Sequence, residues 1–443
     1  MIRASVREWE TVPLATVGGR AGGDRLLRVA QEAQRKLRLG GADGERVLVN
    51  GVERLRAQQV VGVVTAPGVS LEILPKIDGL AHDEDGRRTR TNLVRMLART
   101  LDLKMSPGAL TALKAQSHDL LEIVIRMFVE RLFAAAREGL PRRYVGQEAD
   151  LATLRGRLDV RRQFTTLAVS PDRLACRYDE LSVDTPLNQV MKATVARLTT
   201  LARSADNQRR LAELAFMLAD VSSVPERALA WDRIVLDRSN KRWHDLLALA
   251  RLLLASHFQT TSSGAAPGFA LLFEMNTLFE EFVGRTMRRA LTPRGYTVSL
   301  QGPRRFALHD EAAGRGRFQT KPDIVVHRHG RPVLIVDTKW KRLKGQIDCP
   351  KRGVAQGDVY QMMAYAHVYD CERLMLLYPH HDGLGSPAPA LLDHRIPSTS
   401  RRLSVATLSL ADLGAIEDSI VALVEACDIE GQLRTSVGRH API

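Results

Sequence analysis

Apolar and polar positions alternate differently along successive stretches of this chain. In the first 115 residues short β-branched runs dominate: Val47-Leu48-Val49, Val60-Val61-Gly62-Val63-Val64 and Leu71-Glu72-Ile73-Leu74 predict strands. Residues 24–39 predict an amphipathic helix, capped by Asp24 and ended at Gly40-Gly41. The preceding glycines, from Gly18 to Gly23, read as a flexible turn, because no strand leads into them and no Gly-Lys-Ser/Thr follows. Residues 91–103 and 119–138 carry helical periodicity, and Leu121, Val124, Ile125, Phe128, Leu132 and Phe133 share a face suited to packing. Residues 139–255 read as mostly helical, with Asp184-Thr185-Pro186 a sound helix start. The small, polar stretch 262–268 predicts a domain boundary. A helix then follows over 273–283, burying Met275, Leu278, Phe279, Phe282 and Val283. Strands are predicted at 296–300, 305–308, 318–328 and 374–379, and helices at 359–366 and 410–427.

Two of these runs form the most informative pattern. Residues 318–328 and Pro332 to Val336 are β-branched arms around His329-Gly330-Arg331, where the glycine suits a three-residue hairpin loop. That loop would pair Arg328 with Pro332 and bring Asp323 opposite Asp337. Side chains alternate along a strand, so Lys339 joins both carboxylates on one face. Two opposed like charges destabilise a strand pair unless a cation lies between them, and hard oxygen ligands suit Mg²⁺ or Mn²⁺. The alternative is a surface hairpin in which Asp337 and Lys339 form an ordinary ion pair.

Composition narrows the class. A chain of 443 residues exceeds one typical core, and 45% hydrophobic content supports a folded protein. The balance of 64 Lys+Arg against 50 Asp+Glu gives +14 at pH 7, which favours a polyanionic partner unless it reflects a generally arginine-rich composition. Arg155, Arg157, Arg161 and Arg162, then Arg285, Arg288 and Arg289, and the basic loop Lys341, Arg342, Lys344, Lys351 and Arg352 are candidates for phosphate contact or plain solvated charge. Cys176, Cys349, Cys371 and Cys427 are isolated, so neither a disulfide framework nor a zinc site is indicated, and a reducing cytoplasm fits. No membrane association is expected: the N-terminus lacks an apolar signal core, and the apolar stretch 246–255 is short and interrupted by Arg251. His380-His381-Asp382 follows a strand end and reads as loop rather than metal site. No Walker A sequence occurs, so any nucleotide hydrolysis must come from another subunit.

Pro322-Asp323 followed by Asp337-Thr338-Lys339 resembles the PD-(D/E)xK nuclease signature, and the surrounding chain resembles the McrC family, the nuclease subunits of McrBC-type modification-dependent restriction systems. Further matches are Val60-Val61-Gly62-Val63-Val64 with Leu71 to Ile77, Tyr178 to Asn188, Asp237 to Asn240 leading into Trp243 to Leu247, and Phe273 to Val283. The resemblance implies an α/β fold, α+β overall, in which a PD-(D/E)xK domain with a mixed central sheet flanked by helices (263–443) follows a helical connector (116–262) and a β-rich partner-binding domain (1–115). It implies Mg²⁺-dependent hydrolysis of double-stranded DNA in antiviral defence, together with a McrB-like AAA+ GTPase that engages the N-terminal region. Asp323 and Asp337 would hold the metal, the Thr338 carbonyl would be a further ligand, and Lys339 would assist the water. Glu280 aligns with a helical glutamate that joins such sites directly or through water, though an exposed helical glutamate is commonplace. Gln361 and Tyr365, one helical turn apart, resemble the QxxxY element that flanks the metal in a subset of these nucleases; a polar pair on a solvated face is the other reading. Two rival functions remain: a non-catalytic adaptor that stimulates and anchors a GTPase ring, and a stand-alone nuclease of another DNA-processing system.

Overall fold

The computed structural model describes residues 1–37, 47–77, 83, 86–103, 119–170, 172–236, 241–255, 257–259, 267–343, 353–384 and 392–437. The expected helix end at Gly40-Gly41, the motif at 237–240, the boundary at 262–266, Cys349, and the basic residues Lys344, Lys351 and Arg352 lie outside them. The chain divides into two compact units, Met1–Leu120 with Phe258–Ile443, and Leu121–His257. The described fold is mixed α and β, with several sheets.

The first unit contains two large sheets. One has five strands, beginning Ile2–Arg7, Val69–Leu74, Val60–Ala66 and Pro267–Glu274 in spatial order. Its central strands Val60–Ala66 and Val69–Leu74 are buried at every position, which explains their nearly unbroken apolar runs. Pro267–Glu274 pairs antiparallel with Val60–Ala66, so a stretch expected to open the last domain completes the sheet of the first. Helix Gly19–Leu37 packs against this sheet, with Leu26, Val29, Ala30 and Ala33 in its core. Of the glycines expected to form a turn, Gly19, Gly22 and Gly23 lie inside that helix, and Gly18 precedes it in a left-handed turn. They admit a close approach: a Cβ on Gly22 would stand 1.8 Å from the Val17 carbonyl oxygen. Strands Ile2–Arg7 and Arg54–Ala57 were not expected, although their alternation of apolar with polar positions was the available signal.

The second sheet has six strands in the order Tyr296–Leu300, Ile324–Arg328, Arg331–Thr338, Arg373–Pro379, Arg402–Leu408, Leu392–Arg395. It is mixed, with Arg331–Thr338, Arg373–Pro379 and Arg402–Leu408 parallel to one another and antiparallel pairs on either side. Helix Met275–Leu291 buries the five residues expected of it and packs on Tyr296–Leu300. Helix Gln356–Val368 brings Met362 and Tyr365 into a core with Val325, Ile335 and Leu376. The single strand expected over 318–328 is two, Arg315–Thr320 and Ile324–Arg328, interrupted at Lys321-Pro322-Asp323, where proline cannot donate to a ladder.

The second unit carries helices Pro186–Leu201, Ala205–Met217 and His244–Ala255, and most of Leu120–Arg137. Thr185 caps the first of these, its hydroxyl accepting from the Asn188 amide as the Asp-Thr-Pro start implied. The mostly helical expectation for residues 139–255 fails over Arg143–Leu151, Arg157–Leu158 and Leu174–Ser182, which form a three-stranded sheet. Their side chains are largely exposed or half-buried and charged, so no apolar alternation announced them. Within this sheet Arg155 lies 4.0 Å above the Tyr178 ring and 3.3 Å from Glu180, and Arg162 pairs with Asp150.

Candidate active site

The hairpin register explains how the carboxylates meet. Ile324 faces Val336, Val325 faces Ile335 and Val326 faces Leu334; the register then shifts, and His327 faces Pro332 and Arg328 faces Arg331. The loop is therefore two residues, His329-Gly330, both left-handed at φ 50° and 76°, rather than the three expected. A bulge inserts one residue into the returning strand and restores the register that a three-residue loop would have given. Continued from the Ile324–Val336 pair, Asp323 and Asp337 occupy facing positions at the mouth of the hairpin.

Asp323 stands in the bend just before its strand. Its Oδ2 accepts from the Thr338 amide at 2.8 Å and the Thr338 hydroxyl at 2.9 Å, and its backbone oxygen accepts from the Gln301 amide at 2.6 Å. Thr338 thus uses its N–H and hydroxyl to fix Asp323, a role the sequence did not suggest. Asp337 is 1% exposed at the end of a strand buried between two neighbours. Its Oδ2 lies 2.7 Å from Lys339 Nζ.

Helix Gln356–Val368 closes the other side. Gln361 Oε1 is 3.4 Å from Lys339 Nζ, Gln361 Nε2 donates to the Tyr365 hydroxyl at 2.7 Å, and that hydroxyl donates to the Lys321 carbonyl at 3.1 Å. Asp358, one turn before Gln361, approaches Lys339 Nζ at 3.7 Å and Lys341 Nζ at 3.5 Å. Sequence reasoning missed Asp358; its position three residues before Gln361, on the same helical face, was the available signal. Glu280, on helix Met275–Leu291, accepts from Gln301 Nε2 at 3.4 Å. The structure therefore gathers Asp323, Asp337, Thr338, Lys339, Gln361 and Tyr365 directly, while Glu280 joins through Gln301 and through its field.

Charge is out of balance here. Burial, and then the neighbouring Glu280, push the Asp323 carboxyl up to about 6. Burial, then Asp323, do the same for Asp337, also to about 6, with Asp358 adding repulsion. Glu280 is raised as well, by burial first and by Glu281 and Asp337 after it. Burial alone would lower the Lys339 pKa, yet Asp337, Asp358 and Asp323 outweigh it and raise it. One ammonium embedded among carboxylates that resist ionising together fits a place for a further positive charge. Among the described residues no three His, Cys, Asp or Glu side chains form a ready-made metal cage. Mg²⁺ does not need one, since it commonly takes one or two carboxylates and keeps waters or phosphate oxygens for the rest. The donor set of Asp323 and Asp337, with Glu280 nearby, fits that chemistry.

Residues of the other motifs have partners within the chain. His381 Nε2 is 2.6 Å from the Leu343 carbonyl oxygen and His380 Nδ1 is 3.1 Å from the Thr407 hydroxyl. Arg285 pairs with Glu281 at 3.0 Å, Arg288 donates to the Val298 carbonyl at 3.2 Å, and Arg289 lies 3.4 Å from Glu417. Cys176 and Cys371 are buried thiols outside any disulfide. Among the described residues no helix is long and apolar enough to cross a membrane.

Comparison with known proteins agrees with this site's setting. Over 96% of its length the chain superposes on 99% of a chain in the refined half-complex from the tetradecameric assembly of Thermococcus gammatolerans McrB AAA+ hexamers with bound McrC, with a TM-score of 0.75 at 19% identity. It also resembles a chain of the cryo-EM structure of the Thermococcus gammatolerans McrBC complex, at a TM-score of 0.55 and 23% identity, covering 65% of this chain and 88% of that one. No curated protein matches. Residues 55–379 match the family model described as McrBC 5-methylcytosine restriction system component, and the chain belongs to that family.

Proposed function

We propose that this chain is the nuclease subunit of a McrBC-type restriction system, hydrolysing DNA phosphodiesters at a PD-(D/E)xK centre with Mg²⁺ when assembled with a McrB-like AAA+ GTPase. The observation that carries the reading is the convergence of Asp323, Asp337 and Lys339 at the mouth of one hairpin, with Lys339 Nζ 2.7 Å from Asp337 and Gln361 on the facing helix. Buried carboxylates that repel one another are costly in a strand pair, and a catalytic centre is where such a cost is retained. The partner is inferred from family membership and from the McrB hexamers that accompany McrC in the Thermococcus assembly.

Asp323 and Asp337 would hold the metal, with the Thr338 carbonyl as a further ligand and Glu280 joining directly or through water, and the metal when bound supplies charge neutralisation and a more acidic water. The chain's own groups do the rest. Thr338 locks the Asp323 carboxylate in one orientation through two hydrogen bonds. Lys339 presents a protonated ammonium that orients the attacking water and meets charge developing on the phosphate oxygens. Tyr365, tied to the Lys321 carbonyl, fixes Gln361, and Gln361 limits the swing of Lys339. The net charge of +14 attracts any DNA sequence equally, so binding by the isolated chain is expected to fall steeply with salt.

The test is reconstitution with the cognate GTPase, following DNA nicking in Mg²⁺ and GTP turnover in parallel. Asp337→Ala and Lys339→Ala abolish nicking and leave GTP turnover near wild type. Near wild-type nicking by Asp337→Ala would refute the assignment, and robust, sequence-selective cleavage by the isolated chain at physiological salt would favour a stand-alone nuclease.

A further inference from the structure

Trp340 follows Lys339 immediately, beyond the last residue of its strand, and it is gripped from the other sheet. Its indole N–H donates to both carboxylate oxygens of Glu8, at 2.9 and 3.1 Å, and its carbonyl accepts from Gln59 Nε2 at 3.3 Å. Glu8 directly follows the strand Ile2–Arg7 and is 1% exposed, with Oε1 also accepting from the Lys76 amide at 2.9 Å. Gln59, just ahead of strand Val60–Ala66, donates from the same nitrogen to Asn276 Oδ1 at 2.9 Å, and its carbonyl accepts from the Met275 amide at 3.3 Å. The Trp340 ring packs on Phe279 at 5.3 Å between centroids. Phe279 directly precedes Glu280, as Trp340 directly follows Lys339, so one aromatic pair is braced between two site residues.

A buried carboxylate is a costly way to hold a tryptophan, since an apolar neighbour would pack the ring without desolvating a charge. Burial pushes the Glu8 carboxyl up to about 7 despite donors from Lys76 and Trp340. What the carboxylate adds is direction, because an indole N–H bonded to both oxygens fixes the ring in its plane as packing alone does not. We infer that Glu8, with Gln59, is a positioning residue for the reaction: it anchors Trp340 to the first sheet and thereby sets where the Lys339 ammonium points. The inference rests on the nuclease reading for its consequence in rate, and on the hydrogen bonds alone for its geometry.

The complex reconstituted with the cognate GTPase is assayed for DNA cleavage in Mg²⁺, and the same variants are followed by hydrogen–deuterium exchange. A displaced catalytic group can cost on the order of 10²-fold, so Glu8→Ala is expected to lower kcat by about 10- to 100-fold with the KM for DNA within about twofold. Glu8→Gln keeps an acceptor at Oε1 and recovers most of that loss. Trp340→Phe keeps the ring against Phe279 but removes the N–H; it reproduces Glu8→Ala, and the double variant is no worse than either alone. In both single variants exchange rises in peptides covering residues 338–342, while the core strands of the first sheet stay protected. The inference is overturned if folded Glu8→Ala keeps the wild-type kcat and the wild-type exchange at 338–342, or if protection is lost across the whole first sheet, which marks a purely structural carboxylate. Should Glu8→Ala fail to fold, Trp340→Phe decides by the same two measurements. Should the wild-type complex not cut DNA at all, the nuclease reading fails, and exchange at 338–342 still decides the positioning.

Discussion

Both large sheets of the first unit bury a carboxylate on a strand, and they treat it in opposite ways. In the first sheet Glu72, 4% exposed, receives the Arg90 guanidinium at 2.7 to 3.0 Å on both oxygens and the Leu120 amide at 2.9 Å on one. The Glu72 carboxylate thus has its answering charge in a planar fork. In the second sheet Asp337, 1% exposed, shares the Lys339 ammonium with Asp358, Asp323 faces it, and both Asp323 and Asp337 are pushed up to about 6. The first arrangement closes on itself, whereas the second leaves negative charge for something else to balance. Buried charge alone therefore does not mark a site; its incomplete compensation does.

The comparison breaks first on activity. Lys339→Ala removes the cation that lies against Asp337, and its expected effect is a cleavage loss of about 10²–10³-fold with folding retained, read as single-turnover nicking beside a thermal melt. Glu72→Ala has the complementary effect. It takes the bidentate carboxylate from Arg90, whose side chain is 15% exposed, and should destabilise the fold by about 3–5 kcal/mol in denaturant titration. A smaller effect of opposite sign is expected at Asp337. Because its folded pKa is raised from 3.8 to about 6, the folded state holds a proton that the unfolded chain has released, so this group's contribution is fully present below pH 4 and is lost as pH rises through 6. Asp337→Asn should therefore be more stable than wild type at pH 7.5 by on the order of 1–3 kcal/mol and indistinguishable from it below pH 4, with no cleavage at either pH. Equal melting temperatures at pH 7.5 would mean that Lys339 already balances the cluster. Smallest of all, Arg155→Ala removes a half-exposed pair with Glu180 and should leave both the melting temperature and GTP turnover unchanged.

The middle of the second sheet was legible because Ile324–Arg328, Arg331–Thr338 and Arg373–Pro379 carry buried apolar runs, and Tyr296–Leu300 ends where the pattern placed it, whereas Leu392–Arg395 and Arg402–Leu408 were not expected. The facing of Asp323 and Asp337 was legible too, although through a two-residue turn and a bulge rather than the longer loop, two devices that give the same count. Asp358 was not, since one acidic residue in a helix's first turn is what a helix dipole favours anyway. Glu8 was beyond reach: its partner lies 332 positions away, and nothing local distinguishes it from Glu10. The strands at 143–151 and 174–182 were hidden for a related reason, their pairing being carried by backbone and cross-strand ions such as Arg177 with Glu148.

The nuclease reading stands or falls on a divalent-cation site at Asp323 and Asp337. Its most direct test is Mn²⁺ binding to the full chain, followed by electron paramagnetic resonance at pH 7.5 in wild type and in Asp337→Asn. The account predicts one site in wild type that weakens at pH 5, where both carboxyls take up protons, and an affinity at least about tenfold lower in the variant at pH 7.5. Equal Mn²⁺ affinity in the two proteins would contradict it.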